Sequence, residues 1–504
     1  MPCHPVAQEL LNMAEQKKKT LLSVLGKAYS AIGRAVSLEP MFNTGGSNGG
    51  SQRLYWPVNG GPNANILGGF SRIRAYSRDV TRKIPELDDG YDTRVANIIG
   101  RGIRGIPMCE NEQLRNQIKR LWNEWSADAD YDGFDIDSMD RLLVRERDEA
   151  GEVFLRVIYM PASAGLVVPI QFQIIESECL DHTYNVTLSN GNRVIAGIEF
   201  NSKNKVAAYH FFKNNPNDSA LVGVTLDRVR VPADEVCHYY KRSRAGQVRG
   251  SPRAFAGQMQ MRDLMIYEEN ELERKKNSSA TYATIKSTDS SVMSELGNDI
   301  NTFSPTNGPS TAPQIMGTDP AVINKGSVVH LYPGEALEVT KVAESDPNYD
   351  AYVAGKNRTA AKAMGLSYET YSGDLRGNSY SGIRVAKNLE EIKFGVDQEE
   401  FIRKVKKFVW EKWFDAAVVS GALKIANYSE RRAEYIAVNW QSPGWKYINP
   451  LQEINAVAAE INAGITTRTI AAASRGRDFA EIQAQKAAER EIEARYGNLP
   501  TGNE

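Results

Sequence analysis

The stretch Gly365-Leu-Ser-Tyr-Glu-Thr-Tyr-Ser-Gly-Asp-Leu-Arg-Gly-Asn-Ser-Tyr-Ser-Gly-Ile383 ends one helical pattern and opens another through a polar loop. The pattern before it, residues 352–364, stops at Gly365, which enters the left-handed conformation of a helix C-cap without a Cβ penalty. After it, Ser379 or Ser381 is placed to cap a long amphipathic helix that runs to Val419, with Ile402, Val405, Val409 and Trp413 as its buried stripe. Arg376 and Asn378 sit at the loop tip, and Tyr368 and Tyr371 are expected to pack at its base. Nothing in the loop is equipped for catalysis. A polar loop clamped between two helices suits contact with a moving or featureless partner.

The chain has 504 residues, enough for several domains, and a formal net charge of -1. Any nucleic-acid contact must therefore come from local patches, not from a basic protein acting as a whole. The four cysteines (Cys3, Cys109, Cys179, Cys237) are far apart and form no C-x-x-C pair, which speaks against a zinc site or a disulfide framework and for a reducing compartment. No apolar run approaches the roughly 18 residues of a spanning helix. Lys17 to Lys19 followed by Leu21 to Leu25 look superficially like a signal peptide, but Gly26 and Lys27 break the run; the expectation is a cytoplasmic product.

Residues 1–38 read as an amphipathic helix or two, and residues 43–69, rich in Gly, Asn and Pro, as an arm or linker. Residues 71–105 carry a helical pattern studded with Arg72, Arg74, Arg78, Arg82, Arg94, Arg101 and Arg104. Helices are predicted over 110–125, with Leu114, Ile118, Leu121, Trp122 and Trp125 at core spacing, and over 134–150. Strands are predicted over 151–159, 170–175, 193–200 and 206–212, with a turn at Asn190 to Asn192, and this part closes at Val231 to Tyr240. The whole is an α+β domain with a mostly antiparallel sheet. A helix follows to about Asn277, then a loop-rich module over 286–326, strand-like segments at 328–331 and 336–342, a helix over 349–364, and, past the long helix, helices over 451–463 and 479–496.

Three patterns touch on chemistry. Gly100-Arg-Gly102-Ile-Arg-Gly105 fits G-x-G-x-x-G but follows a helical pattern and meets Pro107, where a dinucleotide site needs a preceding strand. Asp128, Asp130 and Asp132 resemble half of a calcium loop, but the position of its bidentate Glu is Met139. No phosphate-binding G-x-x-x-x-G-K-[ST] or H-E-x-x-H occurs, and adjacent Cys237 and His238 would point to opposite faces of a strand. The sequence thus implies no cofactor, no metal and no enzyme. What remains is electrostatic: Lys241, Arg242, Arg244, Arg249 and Arg253 fall in a stretch without a single acid, and the guanidinium fork offers paired donors to phosphate. A solvated loop pairing with acidic neighbours is the bland reading of the same residues.

The ordered segments resemble the lambda-type bacteriophage portal proteins. They are Asn97-Ile-Ile-Gly-Arg-Gly-Ile103, Trp122-Asn-Glu-Trp125, Gly151-Glu-Val-Phe154, Gln173-Ile-Ile-Glu-Ser177, Gly197-Ile-Glu-Phe200, Val231-Pro-Ala-Asp-Glu-Val-Cys-His238 and Gly246-Gln-Val-Arg-Gly-Ser-Pro252. Then come Tyr368-Glu-Thr-Tyr-Ser-Gly-Asp374, Asn378-Ser-Tyr-Ser-Gly-Ile-Arg384, Trp440-Gln-Ser-Pro-Gly-Trp445 and Ile448-Asn-Pro450. Each is weak alone; in order, over roughly residues 70–490, they are specific. Residues 43–69 and 286–320 match no motif.

The resemblance implies an α+β portal fold assembled as a dodecameric ring around a channel at one capsid vertex. Carried onto this chain, it implies an N-terminal arm (1–69), a wing (70–250, with the long helix and following segment, 383–447), stem helices (251–278 and 346–365), a clip (279–345), a tunnel loop (366–382) and a helical crown (448–504). Double-stranded DNA would pass the tunnel loop, with Arg376, Asn378, Ser379 and Tyr380 facing it and Lys241, Arg242, Arg244, Arg249 and Arg253 as further phosphate contacts. The implied partners are the terminase large subunit, major capsid and scaffold proteins, and head-completion and tail-connector proteins. The implied location is the virion, after synthesis in the host cytoplasm and with no membrane stage. A metal-dependent nuclease built on Asp128, Asp130 and Asp132, or a plain DNA-binding structural protein, is the competing expectation.

Overall fold

The computed structural model describes residues 60–218, 227–279, 282–287, 335–340, 348–376, 379–445 and 449–496. By its contacts the chain divides into two units, Gln260–Lys356 and the remainder.

The larger unit opens with α1 (Pro62–Leu67), inside the stretch expected to be linker, then α2 (Phe70–Lys83) and α3 (Pro85–Ile98). The single helical run expected over 71–105 is thus two helices. Pro85 forces Ile84 into an extended conformation (φ -115°, ψ 103°) and then serves as the first residue of α3, where its missing N–H costs nothing. Arg101 and Arg104 lie off both helices, and Arg104 opens strand β1 (Arg104–Pro107). After α4 (Glu112–Trp125) and α5 (Ile136–Ala150), capped by Asn111 and Asp135, come β2 (Glu152–Tyr159) and β3 (Ile170–Glu176).

Strands β4 (Val186–Thr187), β5 (Arg193–Ile195), β6 (Ile198–Phe200), β7 (Val206–Phe212) and β8 (Arg228–Pro232) form one antiparallel sheet in that order; β3, β2 and β9 (Val236–Tyr240) form another. The strand expected over 193–200 is therefore two, broken by a turn in which Ala196 (φ 51°) and Gly197 (φ 81°) are left-handed. Phe154, Leu180, Ile198, Tyr209, Phe211, Val231 and Val236 pack the core across the two sheets.

The smaller unit holds Gln260 onward of α6 (Phe255–Ser279), the antiparallel pair β10 (Tyr282–Ser287) and β11 (Glu335–Thr340), and the start of α7 (Tyr349–Met364). Tyr267 packs on Tyr349 and Tyr352, at 6.0 and 4.5 Å between ring centres, and Asp263 lies 3.9 Å from Lys356. The expected helices over 1–38, most of the loop-rich module and the strand over 328–331 lie outside the described residues.

Back in the larger unit, the stretch taken for loop contains the short helix α8 (Tyr368–Ser372). The long helix exists as α9 (Tyr380–Phe401), a π-helical turn at Ile402–Lys406, and α10 (Lys407–Val419). Val405, Val409 and Trp413 are fully buried, as expected of the stripe, while Ile402 is half-buried. α11 (Tyr428–Tyr435) and β12 (Val438–Gln441) follow; β12 pairs antiparallel with β1, Gly105 opposite Trp440. That pairing closes a tryptophan core: Trp122 lies 4.9 Å from Trp410, 5.0 Å from Trp413 and 6.4 Å from Trp440, ring centre to ring centre. The described chain ends with α12 (Pro450–Asn462), α13 (Arg468–Ala473) and α14 (Phe479–Tyr496).

Candidate nucleic-acid interface

Local chemistry fixes both feet of the 365–383 stretch. Leu366 N–H donates to Ala361 C=O (2.9 Å) and Gly365 N–H to Lys362 C=O (3.2 Å), a Schellman close of α7 with Gly365 at φ 79° and Leu366 buried. A side chain at 365 would be strained by that φ, and its Cβ would come within 2.8 Å of the Arg253 guanidinium. Ser367 caps α8, Gly373 (φ 68°) ends it, and Ser379 caps α9 by accepting from Gly382 N–H at 3.2 Å. Helix α9 then reaches back to the first foot. Buried Glu390 accepts from Ser367 N–H and from Thr370 Oγ1 (3.1 Å), and Lys393 Nζ donates to Gly365 C=O (3.2 Å). Tyr371 is buried against Gly90 of α3, and half-buried Tyr368 donates to Asp374 at 3.1 Å, which is the basal packing expected of both rings.

The tip is different. Leu375 and Tyr380 are more than half exposed, and the Arg376 side chain is 88% exposed yet folded onto Asp374 through Nε (2.8 Å) and Nη2 (3.1 Å). Those bonds hold the Asp374 carboxyl well below the usual range. Asn378 lies outside the described residues; Ser379 is exposed and committed to its cap.

Beneath the feet lies a buried charge cluster that links α3, α5, α9 and the segment before α6. Arg94, fully buried, donates to Asp148 (2.7 Å), Asp397 (2.6 Å) and Met364 C=O (3.2 Å). Arg253 adds a second bond to Met364 C=O (3.0 Å) and stands 3.4 Å from Asp397, while buried Arg147 lies 2.9 Å from Asp148 and 3.7 Å from Glu400. The guanidiniums of Arg94, Arg147 and Arg253, with the exposed Lys241 ammonium 3.8 Å from Asp397, thus face the carboxylates of Asp148, Asp397 and Glu400, so opposite charges meet throughout the cluster. Burial alone would push the Asp397 carboxyl up; Arg147, Arg94 and Arg253 outweigh it and hold it at about 2.

A carboxyl held below its unfolded value stabilises the fold above about pH 4, and the contribution disappears as pH falls through about 2. Acid unfolding should therefore show a loss on the order of 2 kcal/mol between about pH 4 and 2 that Asp397→Asn no longer shows. Denaturant titrations at stepped pH would read it; equal slopes for both proteins in that window would refute it.

The basic segment divides. Arg249 is buried, with Nε on Glu152 (2.6 Å), Nη1 on Ala196 C=O (3.0 Å) and Nη2 on Ser177 C=O (3.1 Å), and Arg253 is largely buried under the loop. Their reading as phosphate contacts is corrected: both guanidiniums are spent on protein acceptors, because a charge buried away from water must be paired. Lys241, Arg242 and Arg244 are exposed; Lys241 is 3.8 Å from Asp397, Arg242 bonds Tyr240 OH at 3.4 Å, and Arg244 bonds Gly60 C=O at 3.3 Å.

The three aspartates do not converge either: Asp130 is buried, whereas Asp128 and Asp132 are exposed, and among the described residues no His, Cys, Asp and Glu group could hold a metal. Among the described residues no helix is long and apolar enough to cross a membrane. Sequence reasoning missed Glu390 and Asp397 as anchors, although a signal exists. Both fall on the face marked by Phe394, Phe401 and Val405, where an acid needs a buried partner.

Comparison with known proteins gives a consistent result. The family model described as phage portal protein, lambda family, matches residues 48–395. The portal protein B of Escherichia phage lambda is 22% identical over 489 residues, covering 89% of each chain. The portal protein of Escherichia phage N15 is 22% identical and covers 88% of each chain. The probable portal protein of Halomonas phage phiHAP-1 is 24% identical over 76% of this chain and 73% of its own.

Proposed function

Because the chain belongs to the lambda family of phage portal proteins, we propose that its copies assemble as a dodecameric ring at one capsid vertex and that residues 372–381 of each face an axial channel for double-stranded DNA. The observation that carries this reading is the loop itself, with rigid, buried feet and an exposed tip whose one cation is already compensated by Asp374. A conduit meets every base sequence in turn, so base readout would hinder it, while strong phosphate binding would stall the passing strand. Arg376, exchanging Asp374 for a phosphate and back, offers a weak and sequence-blind contact, and Asn378, Ser379 and Tyr380 offer neutral ones. Lys241, Arg242 and Arg244 are the remaining candidates for phosphate.

In this reading residues 70–250 and 383–447 form the wing, the helices over 251–278 and 346–365 the stem, 279–345 the clip and 448–504 the crown. The separate contact unit Gln260–Lys356 supports setting the stem and clip apart. The terminase large subunit would dock on the clip and supply the ATP hydrolysis for which this chain has no motif; head-completion and tail-connector proteins would follow, and capsid and scaffold proteins would meet the wing. The protein would act without catalysis of its own and end in the virion. Heads assembled with the chain, given terminase and ATP, should protect DNA from nuclease, and heads assembled without it should not. DNA protection that is independent of the chain would refute the proposal, and cleavage of DNA by the purified protein with magnesium, lost on changing Asp128, Asp130 and Asp132, would favour the nuclease.

A further inference from the structure

Helices α9 and α10 form one rod whose halves meet at the π-helical turn Ile402–Lys406, where Lys407 N–H donates to Ile402 C=O, five residues back. Asp397, Phe401, Val405, Val409 and Trp413 stand at every fourth position of that rod, and each is at most 1% exposed. A regular helix turns about 100° per residue, so a strict spacing of four drifts about 40° at each step and carries Trp413 about 160° away from Asp397. One buried face cannot run through such a drift. A π-turn holds one residue more than an α-turn and takes about 100° of it back.

A buried ion pair stands at each end of the turn. Lys406 meets Asp140 of α5, both of them buried, and Asp397 meets Arg147 of α5 at 3.7 Å in addition to its bond with Arg94. Asp140 and Arg147 are seven residues, about two turns, apart and so share one face of α5. Their partners Lys406 and Asp397 are nine residues apart, which in a regular helix sets them about 180° apart, on opposite faces. With one residue taken up in the turn the angle falls to about 80°, and both side chains reach α5. Neither pair is easily given up, because a buried charge turned away from its partner stays uncompensated. The turn also grips the sheet: Lys404 Nζ donates to Tyr240 C=O (2.9 Å), and the Cys237 thiol, kept protonated by burial, donates to Lys404 C=O (3.5 Å).

We propose that the π-turn is a phasing device, whose one surplus residue holds α9 and α10 in the single register that satisfies both ion pairs. Helix α10 is fixed in the tryptophan core, and α9 carries Glu390 and Lys393 to the foot of the loop. The turn therefore sets the direction in which the loop leaves the fold, from a core that the loop does not touch. Nothing in this device needs a second copy of the chain.

Such a surplus can be removed only where the turn holds it. The full-length chain lacking Arg403, whose side chain is 75% exposed and pairs only with Glu399 at the surface, should close a regular helix through the turn with both buried pairs kept. Its unfolding constant, read by denaturant titration, should stay within about threefold of the parent chain's. The chain lacking Val396, 60% exposed but lying between Glu390 and Asp397 where there is no surplus, should unfold with a constant raised about a hundredfold or more, since Glu390 or Asp397 must turn away from its partners. Hydrogen exchange at Ser367 N–H, which donates to Glu390, reports the loop foot: it should be unchanged by the first excision and quickened about tenfold or more by the second. An Arg403 excision as damaging as that of Val396 would overturn the proposal, and so would a Val396 excision as mild as that of Arg403. Both readouts are made on the single chain, so their failure leaves the ring reading to its own test.

Discussion

Arg94→Ala should lower folding stability by about 3–5 kcal/mol, the cost of leaving buried carboxylates without their cation. Arg94 is fully buried and reaches Asp148, Asp397 and the last carbonyl of α7 at once, so no water is at hand to replace it. Arg253 and Arg147 would inherit part of the charge, but neither fills the position between the two carboxylates. The same change frees the foot of the loop, since one of the two donors to Met364 C=O is lost. Denaturant unfolding of the variant checks the magnitude, and a loss under about 1 kcal/mol, the range of a surface pair, would show that the cluster does not hold the fold as described.

Removal of Gly373 to Tyr380, with the ends joined by a short glycine linker, should leave ring assembly in place and abolish DNA packaging or retention. The deletion takes away the Ser379 cap, which contributes about 1 kcal/mol to α9. It spares Glu390, Lys393, Tyr371 and the whole charge cluster, so the feet stay fixed. What disappears is the exposed tip with Arg376. Assembly measured by light scattering and packaged DNA measured by nuclease protection separate the two effects. Failure of the rings to form would make the loop a structural element, and normal packaging would remove it from the path of DNA.

Much of this architecture was legible because it rests on local signals. The cap at Ser379, Gly365, the tryptophan spacing of α4 and the strand over 206–212 all rest on a few residues each, and the structure places them as read. Three readings failed for want of long-range information. The helical pattern over 71–105 reads as one run although Pro85 divides it, and proline suits a first turn as well as it breaks an interior. Strand β1 escaped notice because its four residues, Arg104 to Pro107, gain strand character only from pairing with Val438 to Gln441. Arg249 and Arg253 read like their exposed neighbours because burial depends on where Glu152 and Asp397 arrive from distant helices and strands. At the loop, composition revealed the polar tip, while its anchorage by Glu390 and Asp397 depends on which face of α9 turns inward.

A symmetric electron-microscopy reconstruction of the assembled protein tests the central claim most directly. The expected result is a closed ring with an axial opening wide enough for duplex DNA, lined by residues 372–381 from every subunit. A ring with those residues on its outer surface, or a protein that never closes into a ring with the proposed capsid and scaffold partners present, would contradict the account.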